Sequence, residues 1–288
     1  MRINLKKIGR RILRTILGIS LLILGAYIFL YFRQERFFFN PKLLDKSYQY
    51  KFSQPFEEID IKVTDEIELN ALLFKTQQPS KGVILYFHGN AGAIHDWGKR
   101  ASLYTDNSYD ILFVDYRGYG KSDGFYSKEE QLYNDAQKVY NYVKTRYDES
   151  RIIVLGFSLG TGFAAYTAST NKPKLLILEA PYYAWNSFIA SIAPVPQLLI
   201  NYKIPSYKFL SKVTCPIYIF HGTKDFLINP EENSKKLKAL YPDKINHVMI
   251  EGAGHNGIYI TKQYYDALKN ILASTADTSA VKTTSFAD

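Results

Sequence analysis

The amino-acid sequence predicts an α/β fold: a mostly parallel central sheet with helices on both faces, preceded by one N-terminal transmembrane helix. Three observations predict it. Unbroken apolar runs alternate with helix-length segments, glycine-bracketed polar residues follow several of these runs, and an uncharged stretch lies near the N-terminus. Strands that are apolar throughout suit a parallel sheet buried on both faces. The 288 residues, 47% of them hydrophobic, suffice for one large core.

The N-terminal region has the pattern of a membrane anchor. Residues 1–14 hold six basic residues and no acidic residue, and residues 15–32 carry no charge. A helix of that uncharged length spans about 27 Å, close to the thickness of the hydrocarbon layer. We predict a basic cytoplasmic head over 1–14, a transmembrane signal anchor over 15–32 and a connector over 33–54. The positive-inside rule then places the remaining chain on the non-cytoplasmic side.

Two alternatives for this region are a cleaved signal peptide and a buried core helix. No small-x-small cleavage site follows Phe32, which argues against a signal peptide. The basic residues before the apolar stretch argue against burial.

The basic head, residues 1–14, contributes +6 to the formal net charge of +9, which leaves +3 for the remaining chain. Because the basic residues are not spread over a folded face, we predict no nucleic-acid partner.

The remaining elements follow from hydrophobic periodicity. Alternation over 57–63 and the run over 67–74 predict a β-hairpin. Continuous apolar runs then predict strands at 82–87, 111–116, 152–157, 175–180, 217–220 and 246–252. Helices are predicted between them, near 94–105, 128–147, 159–170, 231–241 and 258–273.

Domain boundaries follow from the same pattern. We predict one domain over 55–273. The small, polar tail over 274–288 is predicted to be disordered. The single cysteine, Cys215, allows no intramolecular disulfide, and we interpret it as a buried apolar residue.

Polar residues with glycine neighbours follow five of the predicted strands. They lie in the segments "HGNAG" (88–92), "DYRGYGKSDG" (115–124), "GFSLG" (156–160), "HGTKD" (221–225) and "GAGHNG" (252–257). In an open parallel sheet, functional residues collect at the C-terminal ends of the strands. A serine, a carboxylate and a histidine therefore come to one edge, in the order Ser158, Asp225, His255.

With these motifs the sequence resembles the α/β-hydrolase superfamily over about residues 55–273. It is most similar to the single-pass, membrane-anchored branch that is grouped with serine aminopeptidase-like hydrolases, whose members show "HGNAG", "DYRGYG", G-x-S-x-G and "HGxxD" in this order. The resemblance implies an α/β-hydrolase fold with a short helical cap over about 181–213. It also implies a nucleophile at Ser158, an acid at Asp225 and a base at His255.

The chemistry needs these residue types independently of the resemblance. A serine hydroxyl is a poor nucleophile at neutral pH, so a base such as His255 must take its proton during attack. Asp225 would hold the imidazole tautomer and stabilise the imidazolium. The oxyanion needs donors, and we predict the backbone N–H groups of Leu159 and Asn90, with Ala91 as the alternative to Asn90.

Other candidates receive less weight. Glu179, at the end of the 175–180 run, is the alternative acid, because some hydrolases of this superfamily carry the acid there. We interpret His88 and His221 as structural residues that follow apolar strands. His95 and His247 lack a glycine-bracketed turn, and we interpret them as surface or helix-face residues.

The cap bears on the substrate. It contains no acidic residue, and its aromatic residues Tyr182, Trp185 and Phe188 are candidate substrate-binding residues for an acyl or aromatic group. The alternative is that they only pack the cap onto the domain. An aminopeptidase needs carboxylates for the substrate's α-ammonium group, so the cap favours esters or thioesters over peptides.

The sequence therefore predicts a membrane-anchored serine hydrolase with a small-molecule or lipid-like acyl substrate. A peptidase, or a non-catalytic module that binds a lipid or a protein, remains the alternative. No histidine or carboxylate cluster has ligand spacing, and "GYGKS" lacks the full phosphate-loop pattern. We therefore predict no metal and no cofactor.

Overall fold

Strands occupy the positions at which the sequence carries apolar runs. A computed structural model describes residues 5–274, and within that range it contains ten strands. In chain order they are β1 (Asn40–Pro41), β2 (Phe56–Lys62), β3 (Glu68–Phe74), β4 (Val83–Phe87), β5 (Ala91–Gly92), β6 (Asp110–Val114), β7 (Ile152–Phe157), β8 (Leu175–Glu179), β9 (Ile217–Gly222) and β10 (Ile245–Ile250).

Eight of these strands form one sheet, in the spatial order β10, β9, β8, β7, β4, β6, β3, β2. The six from β10 to β6 are parallel, whereas β3 runs antiparallel to β6 and β2 antiparallel to β3. Every residue of β4, β6, β7 and β8 is buried, as a sheet covered on both faces requires. The predicted α/β fold is confirmed.

Helices after α1 cover the two faces of the sheet. The helices of the described residues are α1 (Leu5–Arg33), α2 (Glu35–Phe38), α3 (Ile94–Trp97), α4 (Ser102–Thr105), α5 (Glu129–Lys144), α6 (Gly160–Thr170), α7 (Trp185–Ile192), α8 (Ser206–Lys212), α9 (Ser234–Leu240) and α10 (Lys262–Ser274). Short 3₁₀ turns occupy Gly98–Arg100, Glu149–Arg151, Gln197–Leu199 and His255–Ile260.

Alternate residues of the central strands face two separate core layers. In β7, Ile152 and Val154 belong to one layer, while Ile153 and Leu155 belong to the other. This alternation is the period-two geometry of a strand. The C-terminal ends of the parallel strands meet at one edge, where the predicted site residues lie.

The predicted helices differ from the structure most at two places. The helix expected over 94–105 is broken by a 3₁₀ turn at Gly98, which faces Phe52 so closely that an added Cβ would lie 2.7 Å from the ring. The helix expected over 258–273 begins only at Lys262. The hydroxyl of Thr261 accepts a hydrogen bond from the N–H of Tyr264 and so caps that helix.

Helix α1 contains both the basic residues from Lys6 onward and the apolar stretch that follows. No residue of its apolar window is buried, and within residues 5–274 it is the one helix long and apolar enough to cross a membrane. The division into head, anchor and connector stays a prediction. The tail predicted to be disordered lies outside the described residues, except that Ser274 ends α10.

The segment predicted as a connector, residues 33–54, packs onto the domain. It contains α2 and strand β1, and β1 pairs with β5 in parallel. The cap region, expected over about 181–213, consists of α7, a 3₁₀ turn and α8. The short helix α2 therefore separates the exposed helix α1 from β1, which contacts the loop after β4.

Candidate active site

Ser158 sits in a tight turn between β7 and α6. Its φ angle of 51° lies in the left-handed region, which costs about 1–2 kcal/mol for a residue with a side chain. Its N–H donates to the carbonyl of Glu179 at 2.9 Å, which fixes the turn. The turn lifts the side chain out of the strand direction at the C-terminal edge of the sheet.

The glycines on either side of Ser158 are required by close packing. A Cβ on Gly156 would lie 2.3 Å from the carbonyl oxygen of Gly160. A Cβ on Gly160 would lie 2.0 Å from the carbonyl oxygen of Phe87. Both contacts are with backbone, which cannot move aside as a flexible side chain would. Packing therefore explains both glycines of the G-x-S-x-G pattern.

His255 lies in the loop after β10, at the start of a 3₁₀ turn. Its Nε2 is 3.0 Å from Ser158 Oγ, and its Nδ1 is 2.7 Å from Asp225 Oδ2. The ring packs against Phe157, with 5.2 Å between centroids. These distances put a base within reach of the serine proton and a carboxylate behind the base.

Asp225 follows β9 and is buried. Its Oδ1 accepts the N–H groups of Leu227 (3.0 Å) and Ile228 (2.8 Å), and its Oδ2 faces His255. Burial raises the pKa of this carboxyl, but hydrogen bonds from His221 and His255 outweigh it and hold the pKa well below its usual value. Asp225 is thus ionised at neutral pH, as an orienting carboxylate must be.

His221 is a second donor to Asp225. Its Nε2 lies 2.8 Å from the carbonyl oxygen of Ile228 and 3.2 Å from Asp225 Oδ2. A carbonyl oxygen only accepts, so Nε2 carries the proton and donates to both. Sequence reasoning interpreted His221 as structural and missed this contact. Its four-residue spacing from Asp225 in "HGTKD" is the signal that indicates it.

The loop after β4 carries the predicted oxyanion donor Asn90. Within residues 5–274, neither the N–H of Asn90 nor that of Leu159 donates a hydrogen bond. Leu159 is buried and lies immediately before α6, where the N-terminal end of a helix favours negative charge. Within the described residues both N–H groups therefore lack a protein acceptor, and their role as oxyanion donors stays a prediction.

Buried groups fix the base of that loop. His88 Nδ1 lies 2.7 Å from the carbonyl oxygen of Gly89, and its Nε2 lies 3.1 Å from Asp115 Oδ1. The same oxygen of Asp115 accepts the N–H of Ile94, and the hydroxyl of Tyr116 donates to the carbonyl of His88. His88 is completely buried and shapes the loop, as expected.

Trp97 and Arg100 border the same loop. The indole N–H of Trp97 donates to the carbonyl of Ala91 at 3.0 Å. The guanidinium of Arg100 lies over the rings of Trp97 and Tyr259, at 4.4 and 3.6 Å from their centroids. Sequence reasoning assigned neither side chain, because their neighbours come from distant parts of the chain.

Glu179, the alternative acid, does not approach His255. Its carboxylate accepts a short hydrogen bond from the hydroxyl of Tyr264, and it is completely buried at the end of β8. Burial raises the pKa of Glu179 to about 7. The geometry favours Asp225 over Glu179 as the partner of the base.

The aromatic candidates of the cap are largely buried. Tyr182, Trp185 and Phe188 are 0%, 2% and 7% exposed, and all three belong to one core layer. The hydroxyl of Tyr182 donates to the carbonyl of Leu159, next to the serine. Phe188 also lines a cavity between the cap and α9. This burial favours the packing role for Tyr182 and Trp185.

The remaining candidates lie away from Ser158. His95 is half-buried and its Nε2 lies 2.7 Å from Lys42 Nζ. His247 lies within β10 rather than on a helix, and burial lowers its pKa to about 4. Burial raises the pKa of the Cys215 thiol to about 11. Within the described part of the chain, no three histidine, cysteine or carboxylate side chains group as metal ligands.

Comparisons with known proteins bear on the family to which the chain belongs. The family model described as serine aminopeptidase, S33, matches residues 78–211. The alpha/beta hydrolase domain-containing protein 17C of Xenopus tropicalis is 30% identical over 211 residues, which cover 71% of this chain and 66% of that protein. The human protein of the same name is also 30% identical, with 62% of its length covered. The chain thus spans slightly less than two thirds of these relatives.

Solved structures share the fold. An esterase of Pyrococcus furiosus superposes with a TM-score of 0.64 at 18% identity and covers 83% of this chain and 97% of its own. An alpha-beta hydrolase of Vibrio vulnificus gives 0.62 at 23% identity, with 75% and 80% covered. The strand order, the turn at Ser158 and these similarities together show that the chain belongs to the α/β-hydrolase superfamily.

Proposed function

We propose that this chain is a membrane-anchored serine hydrolase that cleaves carboxylic esters or thioesters through an acyl-enzyme on Ser158. The observation that carries the proposal is the continuous contact from Ser158 Oγ through His255 to Asp225, at 3.0 and 2.7 Å. An unused serine needs no base at hydrogen-bond distance, no buried carboxylate behind that base and no strained backbone. Membership in the superfamily supports a hydrolase.

The reaction follows from the positions of the donors and acceptors. His255 Nε2 takes the hydroxyl proton as Ser158 Oγ attacks the carbonyl carbon. The N–H groups of Leu159 and Asn90 stabilise the oxyanion, and Asp225 stabilises the imidazolium. When the tetrahedral intermediate collapses, His255 gives its proton to the leaving alcohol or thiol. Water then attacks the acyl-enzyme with His255 as base, which releases the acid and restores the serine.

The cap supports esters over peptides. It has no carboxylate of its own; Glu129 and Glu35 reach it from outside the cap, and Glu232 lines the cavity between the cap and α9. Glu129 accepts hydrogen bonds from the backbone N–H groups of Lys203 and Ile204, and Glu35 accepts one from the hydroxyl of Tyr202. These two carboxylates therefore hold the cap in place. The P. furiosus neighbour is described as an esterase and another neighbour as a thioesterase domain.

The test is hydrolysis of p-nitrophenyl esters from acetyl to palmitoyl by the full chain in detergent. We expect turnover that Ser158→Ala reduces by at least about 10³-fold, with the melting temperature unchanged. Acyl thiocholines and aminoacyl p-nitroanilides are tested beside the esters, and we expect the anilides to be poor substrates. Efficient anilide cleavage without ester cleavage would indicate the peptidase. A folded protein that a fluorophosphonate fails to label at Ser158 would indicate the non-catalytic module.

A further inference from the structure

The connector, residues 33–54, links α1 to the domain and runs along the loop that carries the proposed oxyanion donor Asn90. Strand β1, Asn40–Pro41, pairs in parallel with β5, Ala91–Gly92, directly after Asn90. Beyond β1 the chain contacts a second loop, since the N–H of Gly120 donates to the carbonyl of Lys42 at 2.8 Å. Sequence reasoning described this segment only as a connector.

The side chain of Asn90 joins that segment to the loop. Its Nδ2 donates to the carbonyl of Phe38 at 2.8 Å, and its Oδ1 accepts the N–H of Asn40 at 3.1 Å. The hydroxyl of Tyr119 also lies 2.8 Å from this Oδ1 and 3.0 Å from the Asn90 carbonyl oxygen. A carboxamide both donates and accepts. The Asn90 side chain therefore satisfies the carbonyl of Phe38 and the N–H of Asn40 as the backbone of a neighbouring strand would.

On its other side the connector packs against the cap. Phe38 and Phe39 are 6% and 7% exposed, and the Phe39 ring packs edge-to-face on Tyr202 at 5.2 Å. Gln34, at the end of the membrane helix, donates to the carbonyl of Leu199 and accepts the N–H of Asn201. The end of α1, the cap and the oxyanion loop are therefore connected through one stretch of chain.

We infer that residues 38–41 are a positioning element of the active site. They act through the Asn90 side chain, which fixes the backbone of Asn90 so that its N–H points to the oxyanion beside Ser158. This inference rests on the proposed function. Removal of one oxyanion donor costs about 10²–10³-fold in rate, so partial misalignment of this N–H is measurable.

The first test compares Asn40→Pro with Asn40→Ala in the full chain. Proline removes the N–H that Asn90 Oδ1 accepts, whereas alanine keeps it. We expect Asn40→Pro to have a kcat about tenfold or more below that of Asn40→Ala, with KM within twofold. The control Gln49→Pro lies in an exposed part of the same connector, and its kcat should equal that of the wild type.

Two further measurements distinguish misplacement of the Asn90 N–H from a general loss of folded structure. The Ki of an alkyl boronic acid, whose adduct places an oxygen in the oxyanion position, should rise in Asn40→Pro by the factor by which kcat falls. Amide hydrogen exchange of residues 89–93 should accelerate while exchange in β7 is unchanged. Tyr119→Phe, a milder change, should lower kcat about threefold without altering KM.

The outcomes distinguish the two proposals. An inactive wild type would overturn the proposed function, and the exchange rates of residues 89–93 would still test whether the segment fixes the loop. An active wild type with equal kcat and Ki in Asn40→Pro and Asn40→Ala would overturn the positioning role. So would exchange rates in that loop that the proline leaves unchanged.

Discussion

Asp225 receives four hydrogen bonds, from the backbone N–H groups of Leu227 and Ile228 and from the side chains of His221 and His255. These donors stabilise its ionised form, which explains the lowered pKa. The carboxylate therefore stays charged through the whole pH range in which an imidazole titrates. Asp225 should therefore contribute no pH dependence to turnover between pH 5 and 8.

The second histidine leads to a prediction about this carboxylate. His221→Leu removes one donor from Asp225, so the carboxylate is held less firmly behind His255. We expect kcat to fall about tenfold with KM within twofold. His221→Gln places an amide nitrogen where Nε2 lies and should restore most of kcat. Equal kcat values for the Leu and Gln variants would contradict this role.

Glu179 provides a prediction about stability. Burial raises its pKa to about 7, so the folded state binds its proton more tightly than the unfolded state does. The free energy of unfolding should therefore fall as pH rises from about 4.5 to about 7. Glu179→Gln stays neutral and should be more stable than the wild type at pH 8, by on the order of 3 kcal/mol.

Thermal melting of the two proteins at pH 5 and pH 8 checks this prediction. At pH 5 the two melting temperatures should be similar, because the wild-type carboxyl is then largely protonated. A difference of the same size at both pH values would mean that Glu179 is ionised in the folded state throughout.

At the scale of elements, the strand–turn–helix unit from β7 to α6 depends on glycine. Gly160→Ala would place a methyl group 2.0 Å from the carbonyl oxygen of Phe87, so the turn must shift. We expect ester hydrolysis to fall at least about 100-fold, together with a lower melting temperature. Gly257→Ala meets no atom within 4 Å and is the matched control. Wild-type activity in Gly160→Ala would show that the turn tolerates the displacement.

Most strands and the edge at which the site lies could be predicted from the sequence, because unbroken apolar runs and glycine-bracketed ends are local signals. The break at Gly98 could not, since it depends on contact with Phe52, about 46 residues away in the chain. The pairing of β1 with β5 could not be predicted either, because two-residue strands carry no periodicity. The side-chain contacts of Asn90 and His221 depend on that tertiary placement.

At the scale of the whole molecule, the prediction concerns the membrane. Helix α1 exposes its apolar side chains along its length, for example Leu22 at 76% and Phe32 at 71%. We expect the full chain to remain in the membrane fraction after alkaline carbonate extraction, because a spanning helix is not released by charge reversal. Release into the supernatant would indicate a peripheral attachment.

Topology needs a separate measurement. The basic residues before the apolar stretch predict a cytoplasmic N-terminus and a domain on the other side. Protease added outside intact cells should then digest the domain and leave the N-terminus protected. If the domain is digested only after the membrane is permeabilised, the orientation is the opposite one.

The chain has two tryptophans, and they lie in different parts of the site. Trp97 donates to the carbonyl of Ala91 in the loop that follows β4, and Trp185 is buried in the first cap helix. Intrinsic fluorescence therefore contains one signal from each part. Replacing either indole by phenylalanine leaves an emission spectrum that reports on the loop or on the cap alone. The order in which the two respond to an acyl ligand can then be timed without any attached dye.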